Sequence, residues 1–275
     1  MLFRSVKVVD DKTLEFYQKY YFPNAKPIPF KVKNNNYTLF IKPIMVEDIS
    51  FYFDNVGILY IDKNSVNDAK IISMSYLQFL VEILLQQNEE YQRALTKILN
   101  LSLGEEYSFT IGHFENGKVF LGIQDENKEE ICKINAKEFD KIKEIILCYN
   151  DKDYDGRYIS EDMRKAMEDY YSIKFRNNYS HIPTLEERKL FVSFKSGLTL
   201  QQINDMAYRH FDIMYNQCID NDLFFSQKII QASEKYKVNE DEIVYPLFKK
   251  NDKFSFLQNA DNFEKKVSAA AKGGY

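Results

Sequence analysis

Apolar and polar positions follow several different periods along the first 150 residues, and each period predicts an element. "KTLEFYQKYY" (12–21) spaces its apolar residues as a helix does and stops just before Pro23, so a short helix is expected. "IPFKVKN" and "YTLFIKPI" alternate in character on either side of "NN", the signature of a β-hairpin. "MVEDISFYF" predicts a short helical turn, and the apolar run "VGILYI" after it predicts a strand. From Asp68 to Asn100 the period lengthens. Ile71, Met74, Leu77, Val81, Leu84 and Leu85 share one face at three- and four-residue spacing, which predicts one amphipathic helix. "SLGEE" ends it, and "YSFTIGH", "KVFLGIQ" and "EEICKI" predict three strands, the first two joined by "FENG". Asn135 with Glu138 three residues later forms a capping pattern for a helix through Phe139, Ile142, Ile145 and Ile146 that stops at Asn150. Residues 1–150 therefore read as an α+β domain, a small antiparallel sheet packed by helices.

Beyond residue 150 the pattern turns helical. "DKDYDGRYISED" reads as a hinge over 151–160, with Ser160 capping the charged helix "SEDMRKAMEDYYSIKFRNN". Thr184 with Glu187 and Thr199 with Gln202 form two capping boxes, for "LEERKLFVSFKS" and for "LQQINDMAYRHFDIMYNQCI", and Gly197 is a natural stop between them. Asp220 and Asn221 predict an interruption before a last helix, "DLFFSQKIIQASEKY". An α-helical C-terminal domain over 161–255 and a flexible tail over 256–275 complete the expected order.

Composition narrows the class without naming a function. Hydrophobic content of 45% with 28% charged residues suits a soluble globular chain. A net charge of −4 argues against a generic nucleic-acid binder. Cys132, Cys148 and Cys218 are an odd, scattered set, which points to buried thiols in a reducing compartment rather than a disulfide framework. The opening residues carry no apolar core of a secretory signal, and "IISMSYLQFLVEILL" is too short and too interrupted to span a bilayer, so no membrane partner is expected.

Three pieces of candidate chemistry each have a plainer reading. Asp151, Asp153, Asp155 and Gly156 match the first half of a calcium loop, but Tyr158 stands at the aliphatic position and Asp162 replaces the bidentate Glu. The preferred reading is a solvated turn, with no metal and no other cofactor. The pair of capped helices around Gly197 has the outline of a helix-turn-helix, with Gln201, Gln202, Asn204 and Arg209 as base-reading candidates. Its broad apolar stripe through Ile203, Ala207, Phe211, Met214 and Cys218 favours an ordinary αα-hairpin. His113, His181 and His210 have no partners at zinc-ligand spacing, and neither a phosphate loop nor a GxSxG elbow occurs, so no catalytic residue is assigned.

The order of elements resembles a family of tail-assembly proteins from phages of Gram-positive bacteria, known as tail assembly chaperones or baseplate-associated proteins. "YTLFIKPIMVEDISFYF", "INAKEFDKIKEIILCYND" and "RYISEDMRKAMEDYY" are similar to successive segments of that family. "TLEERKLFVSFKSGLTLQQINDMAYRHFDIMYNQCIDNDLFFSQKIIQAS" is the most similar stretch, with Leu185, Glu186 and Glu187 opening one helix, Ser196 and Gly197 at the turn, and Met206, Arg209 and Phe211 on the next. The resemblance spans residues 37–250 and implies no enzymatic activity. It implies binding of tape-measure or tail-tube proteins in the host cytoplasm before the tail polymerises, or else a structural place in the baseplate or tail of the virion. Self-association is compatible with either. Exposed aromatic and Met side chains suit adaptable binding. The partner-binding candidates are accordingly Met206, Tyr208, Arg209, Phe211, Met214 and Tyr215.

Overall fold

The computed structural model describes residues 9–33, 35–61, 63, 68–151, 154 and 183–232. The chain is α+β, with small antiparallel sheets, packed helices and a helical C-terminal region. It divides into two compact units, Met1–Tyr215 and Asn216–Tyr275.

In the first unit, helix α1 (Asp11–Tyr20) is capped by Asp10, whose carboxylate accepts from the Thr13 N–H, and Phe22–Asn24 form a single 3-10 turn. Strands β1 (Ile28–Lys31) and β2 (Thr38–Ile41) pair antiparallel, with Ile28 opposite Ile41 and Lys31 opposite Thr38. Their alternation is the one the sequence predicts: Ile28, Phe30, Leu39 and Ile41 face inward, while Pro29 and Phe40 face out. The second sheet is a meander of β3 (Ser108–His113), β4 (Val119–Gln124) and β5 (Glu130–Asn135). Its central strand is buried from Val119 to Ile123, as expected for a strand covered on both faces.

Two expectations fail in the helical parts of this unit. "VGILYI" is not a strand, because its first five residues complete helix α2 (Ile49–Tyr60). Ile49, Tyr52, Val56 and Leu59 recur at helical spacing and are buried, and a short apolar run alone cannot separate the two periods. The single helix expected over 68–100 is a series: α3 (Ala69–Ser73), α4 (Tyr76–Phe79), a π-helical turn (Leu80–Leu84), α5 (Leu85–Gln87) and α6 (Glu89–Leu103). Ser75 and Asn88 cause the breaks. Their side chains cap the next segment, Ser75 Oγ accepting from Gln78 N–H and Asn88 Oδ1 from Glu90 N–H.

Helix α7 (Ala136–Asn150) lies against β2, β4, β5 and α4. Its Asn135–Glu138 capping box forms as expected. More unusually, it carries Glu138, Glu144 and Asn150 into the buried interior. Each finds a backbone donor far away in sequence. Glu138 Oε1 accepts from Lys33 N–H at 2.9 Å, Glu144 Oε2 from Val9 N–H at 2.6 Å, and Asn150 Oδ1 from Ile44 N–H at 2.8 Å. Buried acceptors so paired are worth roughly 1.5–3 kcal/mol when charged and about 1 kcal/mol when neutral.

The unit does not end at residue 150, where a domain boundary was expected. Helices α8 (Leu185–Ser196), α9 (Leu200–Asn204) and the start of α10 (Tyr208–Ala232) belong to it. The helix expected from Leu200 through Ile219 is interrupted at 205–207 by pairing with the chain after β2. Val46 N–H donates to Met206 O at 2.9 Å, Tyr208 N–H to Ile44 O at 2.8 Å, and Met45 and Ala207 form an antiparallel bridge. The interruption expected at Asp220 and Asn221 does not occur, since α10 runs on to Ala232. In the second unit, residues 216–232 are the described part. There Leu223, Phe225, Ile229 and Ile230 are exposed on the helix. The charged helix after Ser160 and the tail over 256–275 lie outside the described residues.

Replacing Asn150 by Leu keeps the volume but leaves the Ile44 N–H unpaired in the interior. Asn150→Leu also removes the amide that donates to Ile146 O at 2.8 Å, and should destabilise the protein by about 1–3 kcal/mol in urea unfolding. An unchanged midpoint for the Leu variant would contradict the role given to Asn150.

Candidate partner-binding surface

Helix α8 is capped at both ends. Thr184 N–H donates to Glu187 Oε2 at 2.8 Å while Glu187 N–H donates to Thr184 Oγ1 at 3.2 Å. Gly197 closes the helix in the left-handed region at φ 75°, with its N–H on Ser193 O. The following cap repeats the device, Thr199 with Gln202, and Lys189 Nζ donates to Asn204 Oδ1 at 2.9 Å to tie α9 to α8. Val192 and Ile203 are the fully buried residues of this pair.

With Val192 inward, the opposite side of α8 is left apolar and exposed. Leu190 is 52% exposed and Phe194 84%. They stand four residues apart and therefore share a face. Leu200, just past the turn, is also exposed. Phe191, between these faces, packs edge-on to Tyr215 at 5.9 Å.

The residues expected to bind a partner are mostly interior, which corrects that expectation. Phe211 is 0% exposed and Tyr208 is buried, with Phe53 edge-on to Tyr208 at 5.3 Å. Met206, Met214 and Tyr215 are half-buried and pack against the core. Arg209 donates to Cys148 O at 3.0 Å and lies over the Phe22 ring at 5.0 Å. Beside it, His210 Nε2 is 2.7 Å from Phe22 O. Arg209 and His210 therefore tie this segment to α7 and the 3-10 turn, while Tyr208 packs on Phe53 of α2. Leu190 and Phe194 were not singled out from sequence. A signal was present, because Leu190, Phe191, Val192 and Phe194 exceed what one buried stripe can hide.

The same geometry removes the base-reading arrangement. The second helix of the pair, α9, is five residues long, Asn204 is engaged by Lys189, and Arg209 is turned inward. Among the described residues no group of three or more His, Cys, Asp or Glu converges as a metal site, and no helix is long and apolar enough to cross a membrane. Of the calcium-loop candidates, Asp153, Asp155 and Asp162 lie outside the described residues. Asp151 ends α7, its N–H on Leu147 O, and its carboxylate takes the Tyr60 hydroxyl.

Two tyrosines and a cysteine near α7 are held neutral. Burial pushes the Tyr52 and Tyr60 hydroxyls well above the usual tyrosine range, with smaller contributions from Asp151 and Cys148. Burial also lifts the Cys132 thiol to about 12, aided by the charges of Glu138 and Glu130, so it is protonated at neutral pH. All three cysteines are free.

Two substitutions separate interior from surface. Phe211→Ala should cost about 3–5 kcal/mol by thermal or urea unfolding, while Phe194→Ser should stay within roughly 0.5 kcal/mol of the parent. Comparable losses for both would show that the α8 face is covered.

Comparisons with protein-family models, with curated proteins and with solved structures find no match for this chain.

Proposed function

We propose that this chain is a non-enzymatic tail-assembly protein of a bacteriophage, acting in the host cytoplasm by covering an apolar segment of a tape-measure or tail-tube subunit before polymerisation. The observation that carries the binding role is the exposed Leu190–Phe194 face on a helix fixed at both ends by caps. The resemblance of residues 37–250 to tail-assembly proteins supplies the partner.

The physical case rests on what an assembly protein must do. An unassembled helical subunit that is apolar on one side aggregates unless that side is covered. A helix-on-helix contact covers it through anchors one turn apart, the spacing of Leu190 and Phe194. Burying one such side chain contributes roughly 1.5–3 kcal/mol. Since the caps and the Lys189–Asn204 bond fix α8 before any partner arrives, little ordering cost falls on this side of the interface.

Co-expression with the neighbouring tape-measure and tube proteins tests the reading. The parent protein should co-purify with one of them, and Phe194→Ser combined with Leu190→Ser should weaken the complex at least about tenfold, or 1.4 kcal/mol, without loss of folded protein. Failure of the parent to bind either protein would overturn the reading. Mature virions should lack the chain; a stoichiometric virion copy would instead favour a structural place in the baseplate or tail.

A further inference from the structure

We propose that the outer edge of strand β3 is a self-association site, where two copies of this chain pair antiparallel about a two-fold axis at Ile111. The surface is separate from the α8 face and does not depend on the tail-assembly reading.

The two edges of the β3–β4–β5 meander differ. On the β5 side, the Asn35 side-chain amide donates to Ile131 O, and Glu130 and Lys133 form an ion pair at 3.1 Å along the strand. The register of β5 against β4 also slips between Ile123 and Gln124. A covering side chain, charges and a bulge are devices by which proteins keep an edge from pairing. Strand β3 has none of them. Ser108–His113 contains no Lys, Arg, Asp, Glu or Pro, and it keeps an unbroken register with β4 over all six residues.

The free hydrogen-bonding groups of β3 follow from its hairpin. Phe114 N–H donates to Lys118 O at 2.8 Å, so by alternation Gly112, Thr110 and Ser108 also turn their backbone groups to β4. Phe109, Ile111 and His113 therefore point theirs away from the sheet, and among the described residues nothing bonds them. Tyr107 ends the row, its N–H being already on Gly104 O. Helices α4 and α7 pack chiefly on β4 and β5 of this sheet, which leaves Ile111 43% exposed and His113 exposed at the rim.

The symmetry of this row selects the occupant. Read outward from Ile111, it carries a ring on either side, Phe109 and His113. An antiparallel copy centred there sets Ile111 against Ile111 and each Phe109 against the other copy's His113, and each pair exchanges two N–H···O bonds. Every outward amide is then used. A slip of two residues would set an outward amide against Tyr107 or against Glu115 in the turn, and a slip of one would face outward groups with inward ones. On the other face the row is Ser108, Thr110 and Gly112, where the Phe120 ring fills the space a Gly112 side chain would take. No like charges meet within the paired strands, and the contact closes on itself as a two-fold dimer. A strand of another protein would gain the same backbone bonds, but this uncharged edge has no side chain to select one, whereas its own copy matches it residue for residue.

Sedimentation velocity over a concentration series of the full chain tests the site. The contact is small, so a reversible dimer with a micromolar dissociation constant is expected. Ile111→Lys places like charges directly opposite each other and should weaken the dimer by about tenfold or more. Ile111→Pro removes an outward N–H that β4 does not use, so it should abolish the dimer while the circular dichroism spectrum stays that of the parent. If either variant fails to fold, the other decides. The Leu190→Ser, Phe194→Ser double variant should dimerise as the parent does, which separates this site from the proposed tail-protein contact. A monomeric parent, a dimer indifferent to a folded Ile111 variant, or a dimer lost in the α8 double variant would each overturn the proposal.

Discussion

A buried polar side chain must be paired, and helix α7 carries three of them into the interior of the first unit. Left alone, two carboxylates and a carboxamide at such positions would cost several kcal/mol. Here Glu138, Glu144 and Asn150 instead take the backbone N–H groups of Lys33, Val9 and Ile44. Those three amides belong to the hairpin loop, to the approach to α1 and to the chain after β2. The helix thereby fixes where segments separated by 105, 135 and 106 residues must lie. Apolar packing alone is non-directional and would not set these positions so narrowly.

Ile44 extends this constraint to the later helices. Its N–H is held by Asn150 and its carbonyl accepts from Tyr208 N–H, so the start of α10 is registered against the end of α7 through one residue. Arg209 on Cys148 O and His210 on Phe22 O repeat the connection from side chains. Once α10 is placed, Val192 and Ile203 turn inward with α8 and α9. The outer face of α8, with Leu190 and Phe194, is what remains. The exposed surface is a consequence of how the interior is pinned.

How much of this the sequence reveals depends on the range of the interactions. Caps are local, and the Asn135–Glu138, Thr184–Glu187 and Thr199–Gln202 boxes and the Gly197 stop were all legible from residue spacing. The two sheets were legible from alternation and turn residues. Ser75 and Asn88 carry equally local capping signals, yet the apolar period running across them hid the breaks. The interruption at 205–207 had no local sign, because its hydrogen-bond partners lie about 160 residues earlier, at 44–46. For the same reason the sequence names Tyr208 and Phe211 as partner-binding candidates on an apolar stripe without showing which of its residues stay exposed. A polar-apolar pattern gives the amphipathic face of a helix but not whether a distant segment covers it.

Native-state hydrogen exchange followed by NMR tests the pinning of the first unit most directly. Free loop amides exchange rapidly, whereas amides held by buried acceptors open only with larger units of structure. The Val9, Lys33, Ile44 and Tyr208 amides should therefore be protected to a degree approaching that of the α7 amides, despite lying outside regular helices or at their ends. Exchange of these four at loop-like rates, with α7 itself protected, would contradict the account.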